Sequence, residues 1–145
     1  MHDVSASGVK LRVIASYTAP AGFELSRFAD DADPLENSNV DIASTGMAIN
    51  GEMVTWTTPA GVPLEISVLP ETDEAENLER LWTANRVGAN KVAIHDIITI
   101  IATYPSGKTV MLTNGTITSG PAMTGASSDA RLKTKTYGFM FETVV

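Results

Sequence analysis

His95 and Asp96 stand side by side, and an imidazole oriented by a carboxylate is the working part of many general bases. Here the pair opens an apolar stretch that reads as a strand, and neighbouring strand residues point to opposite faces. The two side chains therefore do not meet, and His95 is expected to be structural. His2 falls in a segment expected to be mobile. The cluster "DDADPLE", with Asp30, Asp31, Asp33 and Glu36, offers oxygen ligands of the kind calcium takes. It lacks the glycine and the closing glutamate of the EF-hand spacing. No P-loop, GxSxG or HExxH pattern occurs. Cysteine is absent, which excludes disulfides and thiolate metal sites. No pair of carboxylates is singled out for glycoside chemistry. We expect no enzyme, no cofactor and no metal, and we expect Trp56 and Trp82 to be core residues.

What remains is charge and pattern. Arg131, Lys133 and Lys135 precede Tyr137, Phe139 and Phe141. All six have odd numbers, so on one strand they share a face that is basic at one end and aromatic at the other. The aromatic end suits a core. The basic end and the acidic group of Asp30, Asp31, Asp33 and Glu36 have opposite signs, and we expect them to meet between subunits. The plainer alternative is a solvated loop and a solubilised strand end. The net charge of -7 argues against a tight grip on DNA or RNA, which needs a basic footprint. No apolar run is long enough for a membrane span, and no signal peptide is legible.

The elements that must position these residues are mostly strands, because Thr, Ile and Val abound. "VKLRVIASY" alternates, with Val9, Leu11, Val13 and Ala15 on one face, and "TAPAG" is expected to end it. A long acidic loop is expected at about 20–42. "VDIASTGMAI" and "EMVTWTT" read as a hairpin around Asn50-Gly51. "PAG" at 59–61 is a further turn, and "VPLEISVL" is a strand whose Pro63 suits an edge or a first position. One helix is predicted over about residues 72–86. Asp73 and Glu76 form its capping box, Ala75, Leu78, Leu81 and Trp82 its apolar stripe, Arg80 and Arg86 its basic end, and Gly88 its stop. "DIITIIATY" is expected to be buried on both faces or at a subunit seam, with "KTVMLTNGTIT" as its hairpin partner across "PSGK". "SGPAMTGASSDA" is a loop, and the final strand follows it. The reading is one domain over 1–145, mainly β, an antiparallel sandwich or barrel of two packed sheets with one flanking helix.

Two stretches, "RLKTKTYGFMFETV" and "NGEMVTWTTPAGVPLEISVLPETDEAENLERLW", resemble the tail tube proteins of contractile-tailed bacteriophages. The resemblance implies hexameric rings that stack into a hollow tube within a contractile sheath. The implied partners are further copies of the chain, the sheath protein, the tube initiator and baseplate, and the terminator. DNA passes through the lumen without specific binding, and an acidic lining would let it slide. The implied location is the virion, after assembly in the host cytoplasm. The alternatives are a tube component of a tail-like secretion or bacteriocin machine, and a monomeric β-sandwich binding module.

Overall fold

The computed structural model describes residues 9–26, 35–37, 39–57, 60–88, 92–123, 125 and 132–145. Along the chain run β1 (Lys10–Ala15), β2 (Ala19–Leu25), β3 (Leu35–Glu36), β4 (Ala43–Met47), β5 (Met53–Thr57) and β6 (Val62–Val68). Helix α1 (Asp73–Asn85) follows, then β7 (Ile98–Thr103), β8 (Thr109–Ser119) and β9 (Lys135–Val144). Among the described residues the fold is mainly β, with two sheets and one flanking helix, as expected. The sheets are unequal: one has seven strands in the order β2-β1-β7-β8-β9-β6-β3, and the other is the β4–β5 ribbon. Every neighbouring pair is antiparallel.

The large sheet curls around its own core. Leu11, Val13 and Ala15 of β1 lie opposite Ala102, Ile100 and Ile98 of β7. Leu64 and Ile66 of β6 lie opposite Phe139 and Tyr137 of β9. All of these are buried. Every second residue of a strand faces the same side, and four of the six residues expected to share a face do so: Lys135, Tyr137, Phe139 and Phe141 all point into the interior, whereas Lys133 is exposed before the strand and Arg131 lies outside the described residues. The Phe139 and Phe141 rings stack with centroids 6.2 Å apart. On β8 opposite them, Gly115 leaves room that a side chain would take from the Phe141 ring. Ala75, Leu78 and Leu81 of α1 complete the core, with Trp82 half-buried beside them.

Several expectations need correction. "TAPAG" is no terminator: the turn falls at Ser16–Thr18, and Pro20 and Gly22 lie inside β2. Strand β2 is an edge of the sheet, where a missing N–H is tolerated, and Gly22 takes a φ of 79°. The acidic loop is thus interrupted by β2 at one end and β3 in its middle. The helix is capped by Thr72, not Asp73: its hydroxyl accepts from the Ala75 N–H at 3.2 Å. No basic residue occupies the last turn. Arg86 is the C-cap, ending the helix before Gly88, and its guanidinium sits 5.4 Å from the Trp82 ring centroid. Strand β7 is fully buried on one face alone, with Thr99 and Ile101 half-buried on the other. Pro63 is the second residue of β6, beyond the short stretch that β3 covers. The turn expected around 59–61 lies partly outside the described residues.

Asp96 is the hub that fixes the helix to the sheet. It is 3% exposed and accepts from the backbone N–H of Tyr17 at 2.7 Å and of Thr18 at 3.0 Å. The Thr18 hydroxyl and the Asn85 amide donate to its other oxygen. Its own N–H donates to Asn85 Oδ1 at 2.8 Å. Burial alone would raise this carboxyl. The hydrogen bonds from Thr18, Asn85 and Tyr17 outweigh it and hold the group below its ordinary 3.8. His95 is exposed, with a φ of 59°. No dyad forms: Asp96 is committed to architecture.

Two outcomes are expected. Leu78→Ala removes a fully buried side chain and should cost about 2–5 kcal/mol, read as a lower melting temperature; an unchanged melt would mean the helix stripe is not packed. Asp96→Asn sets an amide donor against the Asn85 amide and should cost about 1–3 kcal/mol. Because the folded carboxyl titrates below its unfolded value, its contribution is complete above pH 3.8 and drains away as pH falls through the folded value. The wild-type and Asp96→Asn melting curves should therefore converge on acidification below that point. A gap of constant size would sink the assignment.

Candidate functional site

Of the charged residues expected at a contact, Asp30, Asp31, Asp33 and Arg131 lie outside the described residues. Glu36 is exposed on β3, opposite Glu65. Lys133 is exposed just before β9, where its N–H donates to the Gly125 carbonyl at 2.7 Å. Lys135 is different. It is buried, and its ammonium meets Glu79 of α1 at 3.3 Å. A buried cation must be paired, so this lysine is already committed within its own chain. Next in the same row, the Tyr137 hydroxyl is buried and has no hydrogen-bond partner among the described residues. Burial, helped by the Glu79 charge, pushes it up to about 12, so it stays a neutral phenol.

The surface that stands out is apolar. The β4–β5 ribbon forms as expected around Asn50-Gly51: Gly51 has a φ of 88°, and the Ala48 N–H donates to the Glu52 carbonyl at 2.8 Å. Contrary to the expectation of a core position, Trp56 is 54% exposed. The register places Trp56 and Val54 on one face, over Ser44 and Gly46. Met47 and Met53 pair on the other face, and both are exposed. The tip carries Ile49, with no burial at all. Apolar side chains thus stand on both faces of a two-stranded ribbon, which on its own is at best marginally stable in water. The ribbon has no extensive packing against the large sheet.

A second apolar surface lies at the part of the sheet's interior that α1 does not fill. Leu35, Val62, Leu64, Tyr104, Val110 and Val144 line a groove of about 250 Å³, with Leu11 and Leu112 among its deeper residues. Asn37 adds a polar group at the same place. A polar cleft elsewhere is lined by His95, Asn114, Thr116 and Glu142. Among the described residues, no group of three or more metal-ligating side chains comes together.

Known structures share this fold. The tube-terminating cap of the anti-feeding prophage aligns with a TM-score of 0.55 at 10% identity, covering 100% of this chain and 91% of that one. The sheath/tube terminator of PVC, an extracellular contractile injection system, aligns at 0.52 and 14%, covering 100% and 96%. A chain of the PVC sheath–tube complex in the extended state aligns at 0.50 and 14%, covering 99% and 90%. At such identities the likeness is one of fold. No curated protein matches the sequence. A family model for tail fiber proteins matches residues 2–145, nearly the whole chain. The resemblance noted in the sequence thus holds at the level of a tail component, and the chain belongs to the family described as tail fiber protein gp32.

Proposed function

We propose that this chain is a structural subunit of a contractile tail, forming rings that build the inner tube or close its end. The observation that carries the reading is the β4–β5 ribbon, apolar on both faces and exposed among the described residues. The fold gives it context: similar chains come from tube caps, terminators and a sheath–tube complex. In the fuller form of this reading the rings are hexameric and stack around a lumen within a sheath. The partners are further copies of the chain, the sheath protein, the baseplate or initiator, and a terminator. DNA passes through, and the net charge of -7 keeps it from sticking. Asp30, Asp31, Asp33 and Glu36 supply the acidic side of the inter-subunit contacts, with Arg131 and Lys133 opposite. Lys135 is omitted because Glu79 holds its ammonium.

A second reading, a fibre subunit, rests on the description of the family itself. Negative-stain microscopy of the concentrated protein separates the two: rings or hollow tubes are expected, and slender rods without a lumen would favour the fibre. Replacing Met53 and Trp56 together by serine should abolish the assemblies. The monomer's melting temperature should stay nearly unchanged, since surface substitutions cost within about 0.5 kcal/mol. Assembly of that double variant at the wild-type concentration would overturn the role given to the ribbon.

A further inference from the structure

We infer that the apolar groove beside Val62 and Val144 is the socket for the β4–β5 ribbon of a second copy of this chain. The inference rests on the self-association proposed above and names the surfaces that meet. The groove is lined mainly by apolar side chains, with Leu35, Val62, Leu64, Val110 and Val144 around it and Asn37 and Tyr104 adding polar groups. The apolar part of such a groove favours an apolar side chain, whose burial removes hydrocarbon from water. Its volume of about 250 Å³ suits a large side chain. Trp56 and Val54, exposed together on one face of the ribbon, have matching chemistry. The ribbon does not serve its own groove: no residue of 43–57 lines it. Among the described residues, each chain therefore carries an exposed apolar projection and an apolar recess that this projection does not fill. Such an arrangement makes a head-to-tail contact, which closes into a ring or continues as a helical stack.

The absence of cysteine makes a clean test possible. Val54→Cys on the ribbon is combined with Val144→Cys at the groove, and the full-length protein is oxidised at the concentration used for microscopy. Val54→Cys with Glu142→Cys serves as the control pair. Glu142 lines the other cleft and not the groove. The expected result is a ladder of covalent multimers on a non-reducing denaturing gel, severalfold stronger than the control. Adding Trp56→Ala should weaken the ladder severalfold while the melting temperature stays put. Rings or tubes without a ladder above control would overturn the socket and leave the assembly proposal standing. A fast-migrating internally linked monomer would also overturn it, since the ribbon would then cover its own groove. A ladder without rings or tubes would uphold the socket and sink the ring reading. Neither ladder nor assembly would sink both.

Discussion

Strand β9 is the constraint on which the rest of the structure depends. It is hydrogen-bonded to β8 along one edge and to β6 along the other. Without it the large sheet would be two separate pieces, β2-β1-β7-β8 and β6-β3. Its inward row supplies three of the largest fully buried side chains, Tyr137, Phe139 and Phe141. The row begins with a charge, and that charge has consequences. An ammonium inside the fold needs a carboxylate, and Glu79 provides it from the helix. The pairing adds a polar tie between α1 and β9 beside the packing of Leu78 and Leu81.

The end of the helix is tied by different chemistry. Asn85 bonds Asp96, and Asp96 bonds the β1–β2 turn. One body therefore gathers strands from both sides of β9 and a helix clamped at two places. Against this background the ribbon is an exception. Its apolar groups have no place in the body, and the body's groove has no filling from the ribbon. The body is closed by its own contacts while the ribbon is exposed, the combination on which the proposed assembly rests.

Much of this was legible in the residues. Alternation at Leu11, Val13 and Ala15 and along β9 marked the strands, because a half-buried sheet imposes a period of two on hydrophobicity. The helix stripe was legible for the corresponding reason. What could not be read were partners distant in sequence. Lys135 reads as a basic surface residue until Glu79 is placed over it. Asp96 reads as half of a dyad until Thr18 and Asn85 surround it. Trp56 looks like core because tryptophan usually is, and local pattern does not say that a whole ribbon stands clear of the body. The same dipeptide also served two ends: Asn50-Gly51 makes a tight turn, while Asn114-Gly115 lies inside β8, with Asn114 at a φ of 53°. There the pairing with β7 shifts register. Local chemistry permitted both outcomes, and the flanking pairings decided between them.

The position of β9 also shapes how the chain reaches its folded state. Ser67 and Thr136, whose hydroxyls meet at 2.9 Å, are 69 residues apart in the chain. Contacts of such long range must wait for loop closure, and sheets built on them fold slowly. Until β9 inserts, β6 and β8 each present an open edge to solvent, the kind of edge that recruits strands from other molecules. The exposed ribbon compounds that hazard while the body is still unfinished. The proposed assembly and misassociation would thus both draw on the apolar ribbon, and what would separate them is timing: β9 must close the β6 and β8 edges before neighbouring chains arrive.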